Sequence, residues 1–246
     1  MRIFISTHDR DIHIIEAFQY FFRKYWGEQQ PVTVLGYKAP EFELAPNFNF
    51  VSLGKDKGPR ICGELYDFFS GIKDRHCIWS VGDQVPIRPL DTGIYRQLTS
   101  LIRDSNRIGR ATLVENFGQR APYSVLHEYD GYSLVEQAQD DEYRLSALWS
   151  IWRREYLLKY LKPGMDLWEW ETREHARNDG WRVLGTVGKY AISSAHILAR
   201  GRLHPDSFRS WDKFKAEMSE EERKFVLNIV NRAAWTVAGK YVQYES

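Results

Sequence analysis

The sequence predicts an α/β protein built on a mostly parallel sheet. Two observations carry this. Across residues 1–105, short β-favouring runs alternate with segments whose apolar residues recur every three or four positions, in the order strand, helix, strand, strand, helix, strand, helix. In addition, 246 residues at 43% apolar and 27% charged composition can bury a substantial core and are too apolar for a disordered chain.

Arg2 to Thr7 reads as a buried strand that stops at the polar group His8-Asp9-Arg10-Asp11. Ile14, Ile15, Phe18, Phe21, Phe22 and Tyr25 then form one face of a helix, with Asp9 or Asp11 available as its cap. Val32 to Tyr37 and Phe48 to Leu53 are strands, the second closed by the turn-rich Gly54-Lys55-Asp56-Lys57-Gly58-Pro59. Leu65, Phe68, Phe69 and Ile72 mark a helix. Cys77 to Val81 is a strand ending at Gly82-Asp83-Gln84, and Asp91 caps a helix carrying Ile94, Leu98, Leu101 and Ile102. In the second half, Ala111 to Glu115, Tyr123 to Tyr129 and Tyr132 to Ala138 read as strands, the last two joined at Asp130-Gly131 in hairpin fashion. Ser150 to Leu161 reads as a helix ended by Lys162-Pro163-Gly164, and Trp181 to Val187 as another strand. Ser219 with Glu222 forms a capping box that opens a helix faced by Phe225, Val226, Ile229, Val230 and Ala233.

Composition narrows the function classes. With 34 basic against 33 acidic residues the net charge is +1, which is no whole-chain footprint for nucleic acid or an anionic membrane. The basic stretches Arg103 to Arg110, Arg153-Arg154 and Arg200 to Arg202 are either solvated faces or phosphate-binding patches. No apolar stretch spans a bilayer, and Met1-Arg2-Ile3-Phe4-Ile5 lacks a signal-peptide pattern. Cys62 and Cys77, the two cysteines, lack both a disulfide framework and metal-ligand spacing, so the expected setting is a reduced cytoplasm, that of the host if the protein is viral. Aromatic residues reach 15%, with nine Trp and fourteen Tyr, which suits core packing and also stacking on a planar or sugar ligand.

Ligands of an open parallel sheet bind at the carboxyl ends of its strands. Two polar loops stand there, Thr7-His8-Asp9 and Ser80-Val81-Gly82-Asp83-Gln84, and they are expected to share one pocket. In the second loop a glycine lets the backbone come close, and Asp83 can hold a divalent cation against a diphosphate; the competing reading has Asp83 merely starting a turn before Pro86. Asp166-Leu167-Trp168-Glu169-Trp170-Glu171 interleaves three carboxylates with two tryptophans. Indole walls raise a carboxyl pKa toward that of a general base, and Trp faces pack on sugar rings; the competing reading is a helix start with acids near its N-terminus. On an extended segment Glu169 and Glu171 share a face, whereas on a helix they diverge. His8, His13, His127, His175, His196 and His204 form no motif and read as ordinary surface or core histidines. P-loop, nucleophile-elbow and Rossmann glycine patterns are missing.

The chain resembles a group of small viral and bacterial glycosyltransferase-like proteins with the GT-A nucleotide-diphospho-sugar transferase fold. The matching stretches run in order over residues 1–205: Val34-Leu35-Gly36-Tyr37, Phe50-Val51-Ser52-Leu53-Gly54, Ile78 to Pro86, Tyr143-Arg144-Leu145-Ser146, Ile151-Trp152-Arg153-Arg154 with Leu157-Leu158, Leu161-Lys162-Pro163-Gly164 leading to Trp168-Glu169-Trp170-Glu171, and Gly201-Arg202. The resemblance implies one GT-A-like three-layer domain over 1–246, with a nucleotide-sugar half at about 1–105, an acceptor and catalytic half at about 106–205 and a C-terminal helical extension at 206–246. It implies that Thr7, His8, Asp9, Gly36, Tyr37, Ser80, Gly82, Asp83 and Gln84 hold the nucleotide-sugar co-substrate, and that Asp83 holds manganese or magnesium. Only one carboxylate of the family's usual acidic pair is present in Gly82-Asp83-Gln84. The Trp-Glu-Trp-Glu segment falls where the family carries Trp-Glu-Phe-Glu, which points to Glu169 as base, Glu171 and Asp166 as the other candidate acids, and Trp168, Trp170, Arg144 and Arg153 as substrate-binding residues.

The expected function is a transferase that moves a sugar from a nucleotide-diphosphate donor to a hydroxyl acceptor by direct displacement. The acceptor is a saccharide or, alternatively, a hydroxymethyl-pyrimidine of viral DNA. A reading of another class is a non-catalytic nucleotide- or nucleic-acid-binding module derived from such a fold, which the single acid of Gly82-Asp83-Gln84 favours. Donor sugar, stereochemical outcome and oligomeric state are not written in these residues.

Overall fold

A computed structural model of the chain describes residues 1–56, 58, 60–115, 123–141, 143–173, 176–199, 202–203 and 216–238. Lys57, Pro59, His175, Arg200, Gly201 and His204, singled out above, lie outside the described residues. The elements are β1 (Ile3–Ser6), a 3₁₀ turn (Asp9–Ile14), α1 (Ile15–Tyr25), β2 (Val32–Gly36), β3 (Phe48–Ser52), α2 (Cys62–Gly71), β4 (His76–Val81), β5 (Gln84–Pro86), α3 (Thr92–Asp104), β6 (Ile108–Thr112), β7 (Tyr123–Tyr129), β8 (Tyr132–Gln137), β9 (Ser150–Arg153), α4 (Arg154–Tyr160), α5 (Leu167–Thr172), β10 (Arg182–Val187), β11 (Ser194–His196), β12 (Leu198–Ala199), β13 (Arg202–Leu203) and α6 (Glu220–Ala238). The chain forms two compact units: Met1–Phe4, Leu53–Ser80 and Asp91–Ile192 make the first, and Ile5–Ser52, Val81–Leu90 and Ser193–Ser246 the second.

In the first unit the strands lie in the order β1-β4-β9-β6-β10-β8-β7. The Ile78 amide of β4 donates to the Arg2 carbonyl at 2.9 Å. β9 is antiparallel to both neighbours, since Ser150 pairs with Trp79 on one side and Thr112 on the other. β10 runs parallel to β6 and antiparallel to β8, which is antiparallel to β7. So β4, β6, β10 and β7 point one way and only β9 and β8 oppose them, the mixed, mostly parallel α/β arrangement that the sequence predicts.

Ser150 to Leu161 is therefore not one helix. Its first four residues are β9, and only Arg154–Tyr160 is helical. The reason is non-local: two strands, β4 and β6, offer ladder partners to the segment, and tertiary pairing overrides local propensity. The strand expected at Ala111 to Glu115 lies earlier, at Ile108–Thr112. The Tyr123–Tyr129 strand and its hairpin with β8 stand as expected, as does the Asp91 cap, whose Oδ1 accepts from the Gly93 and Ile94 amides at 3.0 Å each.

An aromatic ladder fills this unit. Phe4 meets Phe69 at 5.5 Å, Phe69 meets Trp79 at 5.8 Å, and Trp79, Trp152 and Trp170 contact one another pairwise, all three fully buried. Three arginines are buried with them. Arg110 donates through Nε to Ser150 Oγ at 2.9 Å, and burial pushes its pKa down to about 10.

The second unit carries β3-β2-β1, with β2 parallel to β3 in unbroken register from Val32↔Phe48 to Gly36↔Ser52. Ile15, Phe18, Phe21 and Phe22 are fully buried, the apolar face expected of α1. α6 packs on α1 and the 3₁₀ turn. Its capping box forms as the sequence predicts: Glu222 Oε2 accepts from the Ser219 amide at 2.9 Å, and Ser219 Oγ accepts from the Glu222 amide at 3.2 Å.

Candidate functional site

The carboxyl ends of β1 and β2 and the loop after β4 meet within the second unit. Two backbone bonds set this up: the Thr7 amide donates to the Leu35 carbonyl at 2.8 Å, and the Gly82 amide to the Ser6 carbonyl at 2.9 Å. Thr7, His8, Asp9, Gly36, Tyr37, Gly82, Asp83 and Gln84 all belong to this unit.

Most of these residues turn out to build the strand ends. Asp9 does not cap a helix; its Oδ1 accepts from the Tyr37 and Lys38 amides at 3.2 and 2.9 Å and so ties the end of β2 to the end of β1. The cap belongs to His8, whose Nδ1 accepts from the Arg10 amide at 3.3 Å, and the same imidazole lies edge-on to the Tyr37 ring with centroids 6.0 Å apart. Gly82 is glycine for packing: a Cβ there would stand 2.9 Å from Ile15 Cδ1 and 3.4 Å from Thr7 Cβ. At Gly36 the Phe50 ring would lie 3.1 Å from a Cβ. The close approach expected of Gly82 is thus to the protein's own side chains. Ser80 is fully buried, and Gln84, also buried, accepts from Ser194 Oγ at 3.1 Å.

Asp83 is different. Its Oδ2 lies 2.9 Å from His196 Nε2, while its Oδ1 is buried without a hydrogen-bond partner among the described residues. The side chains are 24% and 47% exposed, so the pair is reachable. β5 and β11 bring them together: His196 pairs with Gln84 across this two-stranded ribbon, and the Ile197 amide donates to the Asp83 carbonyl at 3.0 Å. Sequence reading missed His196, which is 113 residues from Asp83 and carries no local signal. It also passed over Arg10. That guanidinium holds Asp11 in a two-pronged contact, Nε to Oδ1 at 3.1 Å and Nη2 to Oδ2 at 2.9 Å. The hydrogen bond to Asp11 raises the Arg10 pKa, and the charge of Asp83 adds to it.

The acids of 166–171 belong to the first unit and form a helix start. Asp166 Oδ1 accepts from the Glu169 amide at 2.7 Å and Glu169 Oε2 from the Asp166 amide at 3.2 Å, a complete capping box. Glu169 Oε1 pairs with Arg173 at 2.9 Å. The Asp166 amide, then Arg173, holds the Glu169 carboxyl below its usual value, which overturns the expected rise beside indoles. Trp170 is fully buried in the aromatic ladder and offers no face to a sugar, whereas Trp168 is 65% exposed. Glu171 accepts through Oε1 from the Ala147 amide at 2.5 Å.

Arg144 and Arg153, expected to bind substrate, are buried and spend their guanidinium groups on the main chain. Arg153 donates to the carbonyls of Ile108 at 2.9 Å and Ile102 at 2.7 Å, and also to that of Ser105. Arg144 donates to Ala176 and Ala138 carbonyls at 2.9 Å each and to Trp181, and pairs with Asp179 at 3.2 Å. Charge in a family-matching stretch reads as recognition from sequence, but only the fold shows it as internal framework.

Among the described residues, no group of three or more His, Cys, Asp or Glu is placed to hold a metal, and no helix is long and apolar enough to cross a membrane.

No protein-family model and no curated protein matches the chain. Solved structures similar to it include a CMP:2-keto-3-deoxy-manno-octonic acid synthetase complexed with CTP, at 14% identity over 87% of this chain and 98% of that one, with a TM-score of 0.46. A mannosyltransferase from Pyrobaculum calidifontis in complex with GDP-Man and Mn2+ is similar at 12% identity over 98% and 76% of the two chains, TM-score 0.45. The galactosyltransferase LgtC, with donor and acceptor sugar analogues, is similar at 13% identity over 91% and 99%, TM-score 0.43. At such low identity and TM-score, none of these neighbours' activities is carried over to this chain.

Proposed function

We propose that the protein transfers a sugar from a nucleotide-diphosphate donor to a hydroxyl acceptor, with the donor diphosphate held at Asp83 and His196. The observation that carries this is the Asp83 carboxylate at the end of β4, with one oxygen buried and unpartnered and the other 2.9 Å from an imidazole. The ordered resemblance to nucleotide-sugar transferases gives that arrangement its chemical reading. A carboxylate repels a diphosphate unless a cation stands between them. Asp83, with His196 beside it, would be the residue to hold such a divalent cation, which would neutralise charge on the departing diphosphate.

The chain's own residues do the rest. Asp9 fixes the end of β2, and His8 with Tyr37 lines the nucleoside side. Within 166–171, Asp166 and Glu169 are spent on the capping box and Glu169 is further weakened as a base by its lowered pKa, which leaves Glu171 as the acid of that segment to test as acceptor base. Trp168, with its exposed indole, is the stacking surface for a sugar ring. The acceptor is a saccharide; a duplex carrying hydroxymethyl-pyrimidine would instead require binding that falls steeply with salt.

The test is nucleotide release from a panel of UDP- and GDP-sugars with manganese present. The wild type should turn over at least one donor, Glu171→Gln should lose about a hundredfold or more, and Asp83→Asn should lose donor affinity mainly when metal is present. Nucleotide binding with no turnover of any donor would replace the transferase with a binding module.

A further inference from the structure

We infer that Arg10 is a phosphate-holding residue of the Asp83 site, gripping Asp11 with one edge of its guanidinium and offering the opposite edge to a phosphate of the ligand. The inference rests on the reading of Asp83 as a diphosphate site.

A guanidinium has two edges that each present parallel N–H donors, one formed by Nε with Nη2 and the other by Nη1 with Nη2. Asp11 takes the first edge, at 3.1 and 2.9 Å. Among the described residues no hydrogen bond engages Nη1, and the side chain is 40% exposed. The second edge therefore keeps two parallel donors, the geometry that matches two oxygens of one phosphate.

Position and charge agree. Arg10 follows directly on Thr7-His8-Asp9, the segment that leaves β1 where Ser6 bonds Gly82, the backbone bond that joins this strand end to the Asp83 loop. Neighbouring residues on a helix ordinarily face apart. Here Asp11 turns the guanidinium back along its own turn and fixes it, which lowers the ordering cost of capturing a ligand. Lys38, a cation just past the end of β2, is diverted to Glu41 at 3.0 Å. With Asp11 and Asp83 both acidic, an incoming phosphate meets repulsion that the single charge of Arg10 offsets in part, the rest falling to the cation proposed at Asp83.

The test measures, by titration calorimetry with magnesium present, the affinity of wild type, Arg10→Ala, Arg10→Gln and Arg10→Lys for UDP, GDP, uridine and inorganic pyrophosphate; melting temperatures confirm folding. Arg10→Ala and Arg10→Gln should weaken the nucleoside diphosphate and pyrophosphate at least about tenfold and leave uridine unchanged. Arg10→Lys should stay closer to Arg10→Ala than to wild type, because one ammonium cannot present two parallel donors. Wild-type affinity for both phosphate ligands in Arg10→Ala overturns the inference. A wild type that binds neither overturns it together with the donor reading. Pyrophosphate binding that depends on Arg10, with no turnover of any sugar donor, overturns the transferase reading alone.

Discussion

Replacing Arg144 with methionine separates a framework residue from a substrate-binding one. Arg144 has no exposed surface, and its partner Asp179 is 4% exposed. The guanidinium satisfies carbonyls from two stretches, Ala138 on one side and Ala176 with Trp181 on the other. Methionine refills part of the volume but leaves Asp179 with only Tyr160 Oη at 2.5 Å, the Trp181 amide at 2.9 Å and the distant Lys159 ammonium. Breaking a buried pair by removing one partner costs about 3–5 kcal/mol. For a protein of this size each kcal/mol shifts the melting temperature by about 2–4 °C, so the variant should melt about 6–20 °C lower. Urea denaturation followed by circular dichroism, with the exposed Arg173→Ala as control, reads the same loss at constant temperature. A loss under about 1 kcal/mol for Arg144→Met would refute the framework role and return the residue to the substrate-binding candidates.

The tryptophans of α5 should part company: Trp170→Ala removes a fully buried indole from the aromatic ladder and should cost about 3–5 kcal/mol in urea unfolding, whereas the exposed Trp168→Ala should stay within about 0.5 kcal/mol. Equal losses would mean that α5 docks differently. Glu169→Gln should be less stable than wild type near neutral pH, and the gap should close as pH falls. The folded carboxyl lies below its ordinary 4.5, so its contribution is full above that value and vanishes as pH drops through the lower folded pKa. Unfolding midpoints between pH 7 and 3 check this; a gap that widens on acidification contradicts it.

The sequence was most legible where a signal is local. Asp91 and Ser219 each announce a helix start within four residues, and both cap as read. Asp130-Gly131 announces the β7–β8 hairpin. Legibility failed where partners are distant. Ser150-Ile151-Trp152-Arg153 has no strand signature of its own and becomes β9 because β4 and β6 flank it. His196 is recruited to Asp83 only through the β5–β11 ribbon. Arg144 and Arg153 look like surface charge in sequence, and nothing short of the fold shows carbonyls waiting for them.

A residue used up in holding the fold is a poor candidate for chemistry, and that subtraction reshapes the site. The capping box accounts for both Asp166 and Glu169 and for their three-residue spacing, with no appeal to catalysis. The aromatic ladder accounts for Trp170, the main chain for Arg144 and Arg153, and side-chain packing for Gly36 and Gly82. Asp9 is consumed by two amides of the β2 end. Folding gives no such account of a carboxylate oxygen buried without a partner on Asp83, of an imidazole left half exposed against it, of the outward edge of Arg10, or of the exposed indole of Trp168. A buried unpaired oxygen costs stability, on the order of 1–3 kcal/mol. That group stands at the carboxyl end of a parallel strand, beside a histidine brought from 113 residues away, which is why the proposed donor site is placed there. Asp83 is therefore the residue whose replacement should change ligand binding most for the least loss of fold.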